Sequence, residues 1–346
     1  MAKVPVVITE NVFMKGKSTF EAAAESYGWI VTKPDEGAVA AAVRASGAKA
    51  AVLGVERYSG PLYEALAGSG MGSPALIARY GVGYDGIDTA LCAARNVMLA
   101  ITPGALDRSV AEHVFALILS LARAVPASDA DLRAGGFAGR QGFELAGKRL
   151  AILGFGNIGK QVARIASAGF GMKVAAFDVL PLEKAAARDG SSAGQFLSFH
   201  GLESYRNDFE RTVADADIVT AHFPVLPSTV KFFNAARFAS FKPGSYFVNT
   251  GRGRLVDEND VFDALSSGVL AGGAFDVFDK EPYIPCSPER DLRKLGNVVL
   301  TPHVASNTVE ANANMQRLVL ANLGAFFRGD FASITAVAPP QGGTAH

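Results

Sequence analysis

Short apolar runs recur along the first part of the chain and are separated by alanine-rich segments with helical spacing. The runs are Val6–Ile8, Trp29–Val31, Ala50–Leu53, Leu76–Ala78 and Val97–Ile101. Strands that alternate with helices in this way are typical of a parallel sheet covered by helices on both faces. The pattern predicts a first α/β domain that ends at Thr102-Pro103-Gly104, where the alternation stops.

The alternation resumes at Lys148 and predicts a second, larger parallel sheet. Its strands are expected at residues 149–153, 173–177, 217–221, 245–249, 271–275 and 298–301. A sheet of that size corresponds to a full dinucleotide-binding domain. Residues 181–211 are longer than one connecting helix requires, so this segment is interpreted as a tolerated surface insertion.

Two helical segments flank the second sheet in the sequence. A long apolar helix is predicted over residues 107–124, and a polar, glycine-bearing loop follows it up to residue 146. A helix over residues 308–327 has no strands left to pair with, so we expect it to cross back to the first domain. The last residues, 339–346, are rich in proline and glycine and are expected to be frayed.

The cofactor domain is therefore expected to be inserted in the other domain. The predicted division is residues 1–103 with 304–346 for one domain and residues 104–303 for the other. A catalytic cleft between them would be hinged at the two Thr-Pro breaks.

Composition excludes several classes of protein. The 346 residues are 49% hydrophobic and carry 33 basic and 33 acidic side chains, so no basic stripe indicates nucleic acid binding. Cys92 and Cys286 are far apart and lack metal-ligand spacing, which favours a reducing compartment and no metal. The start of the chain lacks a signal-peptide pattern, and the apolar run 114–122 is too short to cross a bilayer. We expect a soluble cytoplasmic protein without a membrane partner.

A glycine-rich turn follows the first strand of the second sheet. Gly154-Phe155-Gly156-Asn157-Ile158-Gly159 lies between two apolar runs, and Asp178 ends the second run. In a dinucleotide site, such glycines allow a tight turn, close approach of a pyrophosphate and close helix–strand packing. The helix that begins at the turn offers N–H groups to the phosphates.

Asp178 indicates which dinucleotide is bound. Its carboxylate would accept hydrogen bonds from the adenine ribose hydroxyls and disfavour a 2′-phosphate. Val179 and Leu180 follow it without an arginine, so NAD is favoured over NADP, although Lys184 and Arg188 could still reach a 2′-phosphate.

A second match to the glycine pattern is Gly81-Val82-Gly83-Tyr84-Asp85-Gly86. In a chain with 37 glycines the bare pattern is weak, since about 0.4 matches arise by chance. The strand after this copy ends in Thr102-Pro103 instead of an acid, and Asp85 inside the loop would repel a pyrophosphate. The Gly154 copy is therefore the predicted cofactor turn.

Hydride transfer to or from a nicotinamide needs an acid/base and a cation for the substrate oxygens. His222 and His303 each follow a predicted strand, at the edge where ligands bind in open sheets, and either could carry the proton. Glu281 could hold one imidazole nitrogen and favour the charged ring. Arg252, between two glycines at another strand tip, could bind a carboxylate with two hydrogen bonds and polarise a 2-oxo group.

Several blocks of the chain resemble, in order, the D-isomer-specific 2-hydroxyacid dehydrogenases. These blocks are Gly81–Asp85, Val110–His113, His222–Pro224, Phe241–Gly244, Asn249–Glu258, Gly273–Phe278 with Glu281-Pro282, and Thr301–His303. The resemblance covers residues from about 80 to 320, whereas the first 75 residues match only in pattern. It implies an α/β protein with two Rossmann-like or flavodoxin-like domains and parallel sheets. The implied activity is an NAD-dependent interconversion of a D-2-hydroxy acid and its 2-oxo acid.

The resemblance also implies roles for single residues. His303 would be the acid/base, Glu281 would favour its charged form, and Arg252 would bind the substrate carboxylate and carbonyl. The backbone N–H groups of Val82 and Gly83 would also hold the substrate carboxylate. Among the implied cofactor contacts, Asp276 would anchor the nicotinamide end, and His222 and Pro224 would border the adenosine. The full set of implied contacts is Gly154, Gly156, Asn157, Ile158, Gly159, Asp178, His222, Pro224, Thr250, Asp276 and Val110. The helix from Val110 to Ala122 would form much of a homodimer interface, although by itself it could equally be ordinary core.

Substrate identity is the least determined part of this interpretation. The loop Val55–Ser59 would face the substrate side chain, where Arg57 could meet a second anionic group and Tyr58 could form a wall. Glyoxylate or hydroxypyruvate is the generic expectation, with D-lactate-type substrates as a further possibility. One alternative is a phosphite- or formate-type dehydrogenase, but formate enzymes pair their histidine with glutamine. A non-catalytic, NAD-sensing corepressor is the other alternative, and the missing basic patch argues against it.

Overall fold

The computed structural model describes residues 3–70 and 73–338. The chain divides into two compact units, Met1–Leu106 with Asn307–His346 (the first unit) and Asp107–Ser306 (the second unit). The chain thus leaves the first unit, forms the whole second unit and returns. Residues 339–346, predicted to be frayed, lie outside the described part of the chain.

The described residues form strands and helices in regular alternation. The strands are β1 (Val4–Thr9), β2 (Tyr27–Thr32), β3 (Ala50–Leu53), β4 (Ala75–Arg79), β5 (Val97–Ala100), β6 (Arg149–Leu153), β7 (Lys173–Phe177), β8 (Ser204–Arg206), β9 (Ile218–Ala221), β10 (Ser245–Asn249), β11 (Leu270–Phe275), β12 (Val298–Leu300) and β13 (Ala336–Ala338). The α-helices are α1 (Glu10–Lys15), α2 (Lys17–Ala22), α3 (Glu36–Ser46), α4 (Pro61–Gly70), α5 (Thr89–Ala94), α6 (Asp107–Arg123), α7 (Val125–Arg133), α8 (Asn157–Arg164), α9 (Leu182–Arg188), α10 (Ala193–His200), α11 (Phe209–Val213), α12 (Ala235–Phe238), α13 (Glu258–Ser266) and α14 (Val309–Phe327). A π-helical turn, Ile165–Gly169, continues α8.

The first unit contains a sheet in the order β13-β5-β4-β3-β1-β2. Strands β1 to β5 are parallel and have the flavodoxin-like order 2-1-3-4-5. Every residue of β3 and β5 is buried, because helices cover both faces of a parallel sheet. The five predicted strands are confirmed. The antiparallel edge strand β13 was not predicted, since three residues of alanine and valine carry no period.

Buried amides hold the C-terminal segment on the first unit. Gln316 of α14 accepts a hydrogen bond from Thr19 at 2.6 Å and donates to the carbonyl of Lys15 at 3.1 Å. Asn322, also on α14, accepts from the backbone N–H of Thr335 just before β13. Helix α14 is therefore held on the first unit, as predicted, by hydrogen bonds that join its buried amide side chains to α1, α2 and the segment before β13.

The second unit contains seven parallel strands in the order β12-β11-β10-β9-β6-β7-β8. All six predicted strands are present within one or two residues of their expected ends. The order reverses between β6 and β9, and ligands of open α/β sheets bind at such a switch point, beyond the carboxyl ends of the strands. The predicted α/β fold with two parallel-dominated sheets is confirmed.

The interpretation of residues 181–211 as an insertion was wrong. This segment contains α9, α10 and β8, and β8 extends the sheet by pairing with β7. Strand β8 was missed because it is a three-residue edge strand with a polar end at Arg206. Helix α10 does have a sequence signal, a capping box in which Ser192 and Gln195 satisfy each other's backbone N–H groups.

Helix α7 occupies part of the predicted loop before residue 146. It follows α6 after a single residue, Ala124, which has a left-handed φ of 50°. Pro126 lies in its first turn, where proline is tolerated because the N–H it lacks has no helical partner. The prediction of a loop was therefore wrong for residues 125–133.

The apolar face of α6 packs into the core of the second unit. Ala111, Val114, Phe115, Leu117 and Ile118 lie in one buried cluster with β6, β7 and α8. Within residues 3–70 and 73–338, no single helix is long and apolar enough to span a membrane, and only the bent pair α6–α7 meets the criterion on length and composition.

Candidate active site

The glycine turn after β6 has the geometry of a phosphate-binding turn. Gly154 has φ +93°, and a Cβ there would lie 2.8 Å from backbone atoms of His222 and Phe223. A Cβ on Gly159 would overlap the carbonyl oxygen of Gly154, so helix and strand pack closely. A Cβ on Gly156 would meet no atom within 4 Å, and no side chain caps α8, which begins after it. The turn is therefore tight, closely packed and open where a diphosphate would approach.

Asp178 lies beside this turn, at the tip of β7. Its Oδ2 accepts a hydrogen bond from the N–H of Phe155 at 2.8 Å, and its Oδ1 accepts one from the N–H of Leu180 at 2.9 Å. Each carboxylate oxygen can accept a second hydrogen bond, so the carboxylate is fixed in place and retains capacity for ribose hydroxyls.

The tips of β9 and β10 add buried polar atoms without partners. His222 Nε2 lies 3.0 Å from the hydroxyl of Thr220, whereas its Nδ1 is buried and has no hydrogen-bond partner among the described residues. Burial lowers the pKa of His222 to about 3, so the ring is uncharged at neutral pH. The hydroxyl of Thr250, after β10, is also buried and has no hydrogen-bond partner among the described residues. Pro224, in the loop after β9, is exposed. Orphaned polar atoms next to an open glycine turn fit a bound dinucleotide.

The predicted contact between His303 and Glu281 is formed, while their acid–base role stays a prediction. His303 Nδ1 lies 2.7 Å from Glu281 Oε2, and Glu281 Oε1 accepts a hydrogen bond from the N–H of Phe278 at 3.0 Å. Both carboxylate oxygens are thus held, and a proton on Nδ1 leaves Nε2 of the ring for a substrate. His303 has a left-handed φ of 53°, which is uncommon for a residue other than glycine. Of the two candidate histidines, the structure gives only His303 a carboxylate partner.

Arg252 lies at the tip of β10, the strand next to β11 in the sheet. The side chain of Asn249 donates to the carbonyl of Arg252 at 2.9 Å and accepts from the N–H of Gly251 at 3.0 Å. The guanidinium itself donates to the carbonyl of Gly251 at 2.8 Å. Asn249 therefore fixes the loop that carries the arginine. Arg252, Glu281 and His303 follow the three neighbouring strands β10, β11 and β12.

Asp276, expected at the nicotinamide end of the cofactor, follows β11 and is fully buried. It is 0% exposed, and its carboxylate accepts hydrogen bonds from the Thr301 hydroxyl and from the N–H groups of Val304 and Ala305 at 2.6–2.9 Å. Burial by itself would raise the pKa of Asp276, but the neighbouring His113, the Thr301 hydroxyl and the two N–H groups hold it below its ordinary value. Its carboxylate thus supports the turn that carries His303, while its contact with a nicotinamide stays a prediction.

In the first unit, Val82 and Gly83 follow β4, and neither N–H has an acceptor among the described residues. Arg79, which is 5% exposed, donates from Nε to the carbonyl of Gly83 at 2.9 Å and from Nη1 to the carbonyl of Tyr80. The guanidinium holds the carbonyl groups of this loop while the N–H groups of Val82 and Gly83 stay available. Sequence reasoning missed Arg79, although a charged residue that ends a buried strand is a signal.

Tyr58 was predicted to line the substrate, and that prediction was wrong. Its side chain is 0% exposed within the core of the first unit, and its hydroxyl donates to the carbonyl of Pro34 at 3.1 Å. The backbone of Tyr58 forms an isolated parallel β-bridge with Ile87, which is also buried. Arg57 next to it is exposed. Val110, expected at the cofactor, is a residue of α6 and only 5% exposed. Within the described residues, no group of His, Cys, Asp and Glu side chains is arranged to hold a metal ion.

Comparison with known proteins identifies the class to which this site belongs. Residues 115–305 match the family described as D-isomer specific 2-hydroxyacid dehydrogenase, NAD binding domain. The glyoxylate reductase of Thermococcus litoralis is 35% identical over 264 residues, which are 74% of this chain and 74% of that protein. The D-3-phosphoglycerate dehydrogenase of Archaeoglobus fulgidus is 33% identical over 250 residues, which are 72% of this chain but 44% of that protein.

The overall fold gives the same relationship. The NADPH-dependent glyoxylate/hydroxypyruvate reductase of Sinorhizobium meliloti, solved with NADP and malonate, superposes with a TM-score of 0.79 at 28% identity, over 98% of this chain and 97% of that chain. The chain belongs to the D-isomer specific 2-hydroxyacid dehydrogenase family, as its resemblance implied. The second unit contains the family's nicotinamide-cofactor domain.

Proposed function

We propose that the protein is an oxidoreductase that interconverts a D-2-hydroxy acid and its 2-oxo acid with NAD(H), and that glyoxylate and hydroxypyruvate represent its substrate class. The observation that carries the proposal is the 2.7 Å contact between His303 and Glu281, one strand away from the loop of Arg252, in a nicotinamide-binding unit. Relatives named as glyoxylate reductases support the substrate class. Neither the formate or phosphite alternative nor the corepressor alternative gains support from the relatives named above.

The chain's residues divide the reaction between them. A bound nicotinamide would supply the hydride in reduction and accept it in oxidation. Arg252 binds the carboxylate of the 2-oxo acid and polarises its carbonyl, because a guanidinium offers two parallel donors and a permanent charge. His303 donates the proton from Nε2 to the developing alkoxide, and Glu281 stabilises the positive charge of the ring before that transfer. In the oxidative direction, His303 removes the hydroxyl proton.

The proposed cofactor is NAD, held by the glycine turn and by Asp178. The fixed carboxylate of Asp178 favours ribose hydroxyls and repels a 2′-phosphate. Lys184 and Arg188 are exposed on α9, the helix that follows it. The Sinorhizobium relative binds NADP, so cofactor preference is a property to measure. The N–H groups of Val82 and Gly83 are proposed to bind the substrate carboxylate.

We also propose a homodimer formed around α6 and α7. The buried face of α6 belongs to the core, but an apolar set remains exposed on and after these helices. It consists of Leu119, Val125, Leu132 and Phe137, and Phe137 is 95% exposed. Apolar side chains at this exposure fit a subunit interface. The two unpaired cysteines fit the proposed location in a reducing cytoplasm.

The test is an NADH-oxidation screen with glyoxylate, hydroxypyruvate, pyruvate, phenylpyruvate and branched 2-oxo acids. We expect turnover with at least one of them, and a loss of about 10² to 10⁴-fold in kcat for His303→Ala, because a positioned acid contributes that much. NADH binding, measured by fluorescence, should be retained in the variant. Bound NADH without turnover of any acid, or equal turnover in the variant, would contradict the proposal.

A further inference from the structure

Helix α6 contributes a histidine to the support of the catalytic turn. His113 Nε2 lies 3.1 Å from the hydroxyl of Thr301 and 3.5 Å from Oδ1 of Asp276. The side chain of His113 is 19% exposed. The ring is therefore part of the hydrogen-bonded group beneath the turn 301–305, which carries His303.

The proton positions in this group follow from donor counting. Asp276 is ionised and can only accept, so the short 2.6 Å hydrogen bond from Thr301 uses the single proton of that hydroxyl. The oxygen of Thr301 must then accept from His113, which places a proton on Nε2 of His113. The result is a directed series from His113 through Thr301 to the carboxylate of Asp276.

Asp276 also forms hydrogen bonds with the turn 301–305, which carries His303. Asp276 accepts from the N–H groups of Val304 and Ala305, and its carbonyl accepts from the N–H of His303 at 2.8 Å. His303 keeps a left-handed backbone conformation only while its surroundings fix it. A loss of the upstream donor would free the Thr301 hydroxyl to rotate and weaken the hold on the whole turn.

We propose that His113 is a positioning residue that orients Thr301 and Asp276 so that the turn presents His303 to Glu281 and to the substrate. The inference rests on the proposed function, in which His303 is the acid/base.

Variants at position 113 separate positioning from packing. His113→Gln keeps an N–H donor close to the place of Nε2, whereas His113→Leu fills a similar volume without a donor. Glu112→Gln is the matched control, since this neighbouring side chain is exposed and forms an ion pair with Arg108 on the surface of α6. Thr301→Val tests the same series from its other end and keeps His113 intact.

We expect His113→Leu to lower kcat about tenfold or more with an unchanged Kd for NADH, because a small misplacement of a catalytic group is costly. His113→Gln should remain within about threefold of the wild type, and Glu112→Gln should match it. Thr301→Val should resemble His113→Leu, and the double variant should add little, since both remove one series. Wild-type kcat in His113→Leu, or equal losses for Leu and Gln, would overturn the proposal.

Amide hydrogen exchange of residues 303–305 gives a readout that does not need turnover. Exchange should accelerate in His113→Leu and in Thr301→Val but not in His113→Gln. If the wild-type enzyme reduces no 2-oxo acid, the proposed function fails, while this comparison still decides whether His113 holds the turn. Unchanged exchange in His113→Leu would overturn the positioning role by itself.

Discussion

Gly253 shows how strongly a single backbone position determines the candidate site. A Cβ at this residue would overlap the carbonyl carbon and oxygen of Phe278. The N–H of Phe278 in turn holds Glu281, which pairs with His303. The loop of Arg252 and the loop of Glu281 are therefore in direct main-chain contact, and the absence of a side chain at position 253 allows it.

Gly253→Ala should consequently damage both stability and activity. We expect a loss of about 1–3 kcal/mol in the free energy of unfolding, typical of an overpacked position, and at least a tenfold lower kcat/KM. Gly194→Ala is the matched control, because a Cβ there meets no atom within 4 Å. Urea unfolding and steady-state kinetics measure the two effects. An alanine variant with unchanged kcat/KM would show that Glu281 does not depend on this contact.

At the scale of elements, the strand–turn–helix unit from β6 through α8 to β7 determines the cofactor site. Its glycines bring the start of α8 to the open side of the turn, and Asp178 at the tip of β7 accepts a hydrogen bond from the turn itself. Cofactor binding and the shape of the turn are therefore coupled through one carboxylate.

Asp178→Ala should weaken NADH binding about tenfold or more and raise the ratio of NADPH to NADH use, because both a ribose acceptor and a negative charge are removed. Glu183→Gln, an exposed charge change on the neighbouring helix α9, should leave that ratio unaltered. Titrations and kcat/KM with both cofactors provide the measurement. A constant preference would assign specificity to another residue, such as Arg188.

At the scale of the whole molecule, two histidines of the second unit, buried His200 and partly buried His222, link stability to pH. Burial lowers the pKa of His200 and lowers that of His222 to about 3, whereas an unfolded histidine titrates near 6.5. Between these values the unfolded chain binds protons that the folded chain does not. The contribution of these histidines to the free energy of unfolding is therefore fully present above about pH 6.5. It falls as the pH drops below that value.

For His222 the expected loss at pH 5 is about 2 kcal/mol relative to neutral pH, and His222→Gln should remove that share of the pH dependence. Urea unfolding followed by circular dichroism at pH 7.5 and pH 5.0, without cofactor, measures it. Trp29, the only tryptophan, lies in the first unit and gives a reference signal from the unit that lacks both histidines. Identical pH dependence in the variant would contradict the role of His222.

The sequence by itself determined the strands that are buried on both faces, the glycine turn and the order of the site residues. A continuous apolar run such as Leu150–Leu153 is stable as a strand that helices cover on both faces. The positive φ of Gly154 is a local property of the backbone. These signals are short-range, so they survive without knowledge of the fold. The contact between His303 and Glu281 was also predictable, but only because the surrounding blocks resemble a family.

The tertiary structure alone decided the features that depend on neighbours distant in sequence. Strand β8 carries no apolar run because it is a sheet edge, and Tyr58 became core through contacts that its local pattern does not show. The choice of His303 over His222 required a carboxylate partner, and the support of its turn required His113, a residue of another element. Burial and hydrogen-bond partners are properties of the packed chain, and they set the charge state and orientation on which the proposed chemistry depends.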